Sequence, residues 1–206
     1  MASVGSSRIV IRDIPFAALD FESAGERANE AGVPVQIGIA GMHGQSFAAK
    51  HLVSESASFY RSYLRAERPV TWAARQIHGI SAKDLQDAPD LLSLWPEIKN
   101  RLGDRWIVAH GIGTEKRFLR AFPLHGFGPW VDTLTLSRKI LPGRASYALS
   151  DLGREFSLEE EARLLLPDFR WHEALSDALA SLLLLRKFID LAGIWNHPGE
   201  ALLMEK

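Results

Sequence analysis

Three short stretches carry residues whose types and spacing could do chemistry. In WHEALSDA, Trp171 to Ala178, a histidine and an aspartate stand five residues apart at the start of a leucine-rich run. Positions five apart on one helix point about 140° away from each other. The spacing therefore predicts His172 in the loop before a helix and Asp177 in its first turn, with Leu179, Leu182, Leu183 and Phe188 as the apolar stripe. Both could then reach one site, although an exposed histidine and an aspartate serving the positive helix N-terminus would explain the pair by itself. In LDFES, Asp20 and Glu22 are two apart on a predicted strand, so they share one face while Leu19 and Phe21 point the other way. Adjacent carboxylates repel unless a cation, a proton or solvent compensates, and a metal site is one solution beside a solvated strand end. The third stretch is WIVAH followed by GIGTEKRFL, which delivers His110 and then sets Glu115 in the first turn of a helix. There Glu115 could simply cap, and Lys116, Arg117 and Arg120 read as a solvated face or as a basic rim beside a substrate backbone.

Composition bounds what such a site could be. The chain has 206 residues, 47% of them hydrophobic, and no evident repeat. That suffices for one α/β domain over residues 1–206, with a core at about 15–190 and short extensions at both ends. With 24 Lys+Arg against 25 Asp+Glu, the net charge is -1, which argues against tight nonspecific adhesion to a polyanion. A nucleic acid would have to be gripped locally or through metal ions. The absence of cysteine removes disulfides, thiolate zinc sites and cysteine nucleophiles, so any metal must use oxygen or imidazole. MASVGSSRIVIRDI lacks the apolar centre of a signal peptide, and no stretch approaches the roughly 20 apolar residues of a membrane helix. The expectation is a soluble cytoplasmic protein with no membrane partner.

The elements that must position these residues can be read from periodicity. FAALDF (Phe16 to Phe21) and VPVQIGIA (Val33 to Ala40) read as adjacent strands, SFYRSYL (Ser58 to Leu64) as a third, and Trp72 to His78 as a short helix. Ala88 to Arg101 reads as a helix stopped near Gly103, WIVAH as a buried strand and Thr114 to Ala121 as a helix. VDTLTL reads as a strand running into a helix, and Ala174 to Leu191 as the closing helix. Early strands followed by alternating strands and helices predict a mixed sheet with helices on its faces.

In order and spacing, LDFES, IHGISAKDL (Ile77 to Leu85), WIVAHGIGTEKRFL, VDTLTLSRKILPGRASYALSDL (Val131 to Leu152) and HEALSDA resemble one family over about residues 15–190. It is that of the DEDDh 3′–5′ exonucleases, the DnaQ-like superfamily of proofreading subunits and RNase T. The resemblance implies an RNase H-like mixed five-stranded sheet flanked by helices. It also implies a metal-dependent 3′–5′ exonuclease that hydrolyses phosphodiester bonds at the 3′ end of single-stranded DNA or RNA and releases nucleoside 5′-monophosphates. Two Mg²⁺ or Mn²⁺ ions about 3.5 to 4 Å apart would share the work. Asp20, Glu22 and Asp177 would hold them and His172 would be the general base. The terminal nucleotide would lie near Phe21, Ser23 and His78, although strand alternation favours core packing for Phe21 and helix-end hydrogen bonding would equally explain His78.

The second motif departs from the family, which usually reads His-Asn-x-x-Phe-Asp where this chain has His110-Gly111-Ile112-Gly113-Thr114-Glu115. Glu115 is the expected ligand there, with Asp132 as its rival. The altered motif keeps two other readings open: a catalytically impaired module of the same fold that binds a 3′ end, and a hydrolase of nucleotides or short oligonucleotides. A polymerase partner or a homodimer is left open as well.

Overall fold

A computed structural model of the chain describes residues 9–26, 32–49 and 57–203. The polar link at 27–31 and the outermost parts of both expected extensions lie outside the described residues. In chain order the elements are β1 (Pro15–Ser23), β2 (Pro34–His43), α1 (Gly44–Phe47), β3 (Ala57–Tyr63), α2 (Trp72–His78), α3 (Ala82–Leu85), α4 (Trp95–Leu102), β4 (Trp106–Ala109), α5 (Gly113–Leu119), β5 (Trp130–Asp132), α6 (Thr133–Ile140), α7 (Leu149–Glu155), α8 (Leu158–Leu165) and α9 (Ala174–Ala192). The strands form one mixed sheet in the order β3-β2-β1-β4-β5. β1 pairs antiparallel with β2 and parallel with β4, so the fold is the expected five-stranded mixed sheet flanked by helices.

Alternation along the strands builds the two faces. Phe16 and Ala18 of β1 join Ala40 and Met42 of β2 and the leucines of α9 in one apolar cluster. Ala17, Leu19 and Phe21 join Ile37, Ile39, Ile98 of α4 and Phe118 of α5 in the other. α9 carries Leu179, Leu182, Leu183 and Phe188, all essentially buried, and it is apolar on nearly every side because it lies between the sheet and α7 and α8. Among the described residues, no helix is long and apolar enough to cross a membrane.

Besides the short helices α1 and α3, two longer stretches differ from the sequence reading. The helix expected over Ala88–Arg101 is a 3₁₀ turn at Leu91–Leu94 followed by α4, whose Pro96 lies in the first turn. Proline lacks the N–H that an interior position must donate, so it starts this helix instead of continuing one. Helices α7 and α8 fill a stretch where no element was expected. Their signal is present in LEEEARLL, with three acidic residues in the first turn and buried Leu158, Ala162 and Leu165 on one face.

Candidate active site

β1 lies between antiparallel β2, with which it stays paired through Ser23, and parallel β4, with which it pairs only through Ala18, so its last residues run beyond the parallel pairing. In open α/β sheets such a point, beyond the carboxyl ends of the parallel strands, leaves a crevice. Asp20 and Glu22 occupy it from β1, on the face covered by α9. Asp177 comes from the first turn of α9. One carboxylate oxygen from each of the three lies within 4.8 Å of the others, and all three residues are half-buried. His172 is exposed in the approach loop with a left-handed backbone, φ 61°, and its N–H donates to Asp177 Oδ1 at 3.3 Å. Histidine in the loop and aspartate in the first turn is the placement that the five-residue spacing predicts.

Charge crowding dominates the electrostatics. Burial, followed by repulsion from Asp177, Glu22, Glu115 and Glu173, pushes the Asp20 carboxyl well above the usual carboxylate range. Burial and Glu173 push Glu22 up to about 7. Asp177 is pushed up to about 8, chiefly by burial and then by Glu22. Without a cation, these groups hold protons that ordinary surface carboxylates have lost.

Glu115 enters from α5. It is buried at 4% exposure, its Oε2 has no hydrogen-bond partner, and burial raises it to about 7. It stands outside the group of three but repels Asp20. A buried carboxylate oxygen without a partner costs folding free energy, and the hard carboxylate donors of Asp20, Glu22 and Asp177 suit Mg²⁺ or Mn²⁺. These residues therefore fit divalent cations. Asp132, the rival, caps α6 through the N–H groups of Leu134 and Thr135 and accepts from Thr135 Oγ1 and Gly111 N. Gly111 has φ 91°, a left-handed conformation that glycine adopts without strain, which fits glycine at this corner where asparagine was expected.

The expected substrate contacts fare unequally. The Phe21 ring is not brought to the carboxylates. It lies in the core on the opposite face, edge-on to Phe118 at 5.3 Å. His78 is buried with both ring nitrogens committed: Nδ1 accepts from Ile80 N, and Nε2 donates to the Ser23 carbonyl. It thereby ties the end of α2 to the end of β1 at half-buried Ser23, the residue that follows Glu22. His110 is also half-buried and bonded through both nitrogens, to Thr133 Oγ1 and the Tyr147 carbonyl. Trp171 packs edge-on to Phe169 and donates to Glu159. Sequence reading missed Glu173, 2% exposed and hydrogen-bonded to Gln36 and Ser176. Its position just before a helix was the available signal, since acidic side chains cap helix N-termini.

The model of the RNase_T family, described as exonuclease, matches residues 17–185. The chain belongs to this exonuclease family. It is 28% identical over 184 residues to a PolC-type DNA polymerase III of Thermotoga maritima, covering 87% of this chain and 12% of that protein. To the DNA polymerase III subunit epsilon of Rickettsia prowazekii it is 26% identical, over 85% of this chain and 72% of that one. To exodeoxyribonuclease 10 of Escherichia coli K12 it is 29% identical, over 63% and 54%. The chain thus spans only a small part of the PolC-type relatives. Among solved structures, exonuclease X in complex with 5′ overhanging duplex DNA superposes with a TM-score of 0.65 at 22% identity, over 89% of this chain and 96% of that one. The nuclease domain of 3′hExo, a DEDDh family member bound to rAMP, gives 0.67 at 13% identity, over 93% and 96%. The fold is that of the DEDDh exonucleases.

Proposed function

We propose that this exonuclease-family chain is one 3′–5′ exonuclease domain that removes nucleoside 5′-monophosphates from the 3′ end of a single-stranded DNA or RNA. The observation that carries the reading is the convergence of Asp20, Glu22 and Asp177 at one strand end, with a buried, unpartnered Glu115 oxygen on a side chain near enough to repel Asp20. Asp20, Glu22, Glu115 and Asp177 would hold two divalent cations, Mg²⁺ or Mn²⁺, which when bound offset the charge that develops on the phosphate. His172, exposed on the loop beside Asp177, takes a proton from the water that attacks phosphorus, while the bond from phosphorus to the upstream 3′ oxygen breaks. Ser23, the residue that follows Glu22 and is held by His78, lies where the terminal nucleotide would enter. Phe21 and His78 act from behind, by packing and by placing the strand end.

The test is a time course on 5′-labelled single-stranded DNA and RNA with Mg²⁺, Mn²⁺ or chelator, comparing wild type with Asp20→Ala. A ladder shortening from the 3′ end, abolished by chelator and by the substitution, is expected. Cleavage of neither polymer by folded, metal-supplied protein would overturn the reading.

A further inference from the structure

The cross-strand register of β1 and β2 pairs Asp20 with Gly38 and Glu22 with Gln36. The two β2 residues that face the two β1 carboxylates are also the two that seat the start of α9. At Gly38, a Cβ would overlap the Ala174 carbonyl carbon and the Leu175 nitrogen, so the helix backbone rests directly on the strand. At Gln36, buried at 3% exposure, the side-chain amide works in both directions. Its Oε1 accepts from Ala174 N at 3.0 Å, and its Nε2 donates to Glu173 Oε1 at 3.0 Å. The other Glu173 oxygen accepts from Ser176 N and Ser176 Oγ at 3.0 and 2.9 Å.

Every polar atom of this buried pair thus has a use, and the pair spans the residues between His172 and Asp177. Arg61 of β3 lies alongside, with Nη1 3.9 Å from Glu173 Oε2 and Nη2 bonded to Asp168. It sets a positive charge beside a carboxyl group that otherwise acts on Asp20, Glu22 and Asp177. Carboxylate capping alone would need neither the Gln36 amide nor the Arg61 guanidinium.

We propose that Gln36 is a positioning residue: its clasp on Glu173 and Ala174 fixes α9 against β2 and so sets the separation of Asp177 and His172 from Asp20 and Glu22. This deepens the nuclease reading of the site. Gln36 itself touches neither substrate nor metal; it acts through residues that do. Groups that orient metal ligands commonly change metal affinity when altered.

The experiment uses the full chain and three variants: Gln36→Glu, Gln36→Met, and Gln36→Glu combined with Glu173→Gln. Gln36→Glu sets two carboxylates against each other. The reciprocal pair restores one amide and one carboxylate with the same net charge: the bond between the two side chains reverses its donor, while Ala174 N and Ser176 still donate to side-chain oxygens. Mn²⁺ binding by calorimetry is the primary readout, with metal-free melting and the split between kcat and KM beside it. Gln36→Glu and Gln36→Met are expected to weaken Mn²⁺ binding by about 10- to 100-fold and to lower kcat more than they raise KM. The reciprocal pair should recover binding toward wild type.

Wild-type Mn²⁺ affinity in Gln36→Met, or a folded reciprocal pair no better than Gln36→Glu, overturns the proposal. A variant that melts earlier yet binds Mn²⁺ as wild type also overturns it, because the clasp would then serve stability alone. Should Gln36→Glu fail to fold, Gln36→Met and the reciprocal pair decide the matter. A chain that cuts neither polymer but shows clasp-dependent Mn²⁺ binding would sink the nuclease reading and leave the clasp standing, so the two failures are distinguishable.

Discussion

The backbone N–H of Gly111 donates to Oδ1 of Asp132 at 2.9 Å, tying the end of β4 to the start of α6. With the capping bonds to Leu134 and Thr135, that leaves Asp132 committed to structure, while Glu115 Oε2 has no partner. Glu115→Gln should therefore lower kcat by about 100-fold, the scale of a misplaced ligand, without lowering metal-free stability. Asp132→Asn keeps a good capping side chain and should leave both near wild type. Metal-titrated assays of the two variants check this, and activity lost only in Asp132→Asn would reverse the assignment.

His172 contributes its backbone N–H to Asp177 and leaves its ring exposed. Replacing the ring leaves that hydrogen bond available. His172→Ala should cost roughly 10²- to 10⁴-fold in kcat near neutral pH, the range for a lost general base, while Mn²⁺ binding stays unchanged. Full activity in the variant removes His172 from the proton-transfer role, and lost Mn²⁺ binding would make it a ligand instead.

The fold and the clustering of Asp20, Glu22 and Asp177 were legible in sequence for reasons that these residues make plain. Period-2 alternation put Asp20 and Glu22 on one face and Phe21 on the other, and the five-residue gap forced His172 out of the helix that carries Asp177. Such local rules fail where the partner is distant in the chain. Gln36 sits in VPVQIGIA as an unremarkable polar residue of a strand, and only pairing with a loop 137 residues away gives it a role. For His78 the resemblance implies a place near the terminal nucleotide and helix-end bonding offers an alternative, and sequence alone cannot show its ring closing on the Ser23 carbonyl. The break before α4 was visible in principle, since Pro96 favours a helix start.

The crowded carboxylates also predict how stability depends on pH. Without metal, Glu22 and Glu115 are raised to about 7 and Asp177 to about 8, against ordinary values near 4 in the unfolded chain. Between those limits the native state binds more protons than the unfolded state, so stability falls as pH rises. In chelator, the melting temperature should decline from about pH 5 to about pH 8. Saturating Mg²⁺ or Mn²⁺ takes the place of the protons and should stabilise most at the upper end. Melting curves across that range decide it, and a metal-free protein that grows more stable toward pH 8 would contradict the crowding.

Gly38 and Gly41 lie three residues apart on β2 and make opposite demands. A Cβ at Gly38 meets the backbone of α9, which cannot turn aside, whereas at Gly41 it meets the Ser58 hydroxyl and the Arg105 side chain, which can. Overpacking against fixed atoms costs about 1–3 kcal/mol. Gly38→Ala should therefore lower stability by about that amount and push the start of α9 away from Asp20, weakening Mn²⁺ binding as well. Gly41→Ala should do neither to a comparable degree, because side-chain rotation relieves the contact and no metal carboxylate depends on it. Equal effects of the two substitutions on Mn²⁺ affinity would mean that contact between α9 and β2 at Gly38 does not set the site.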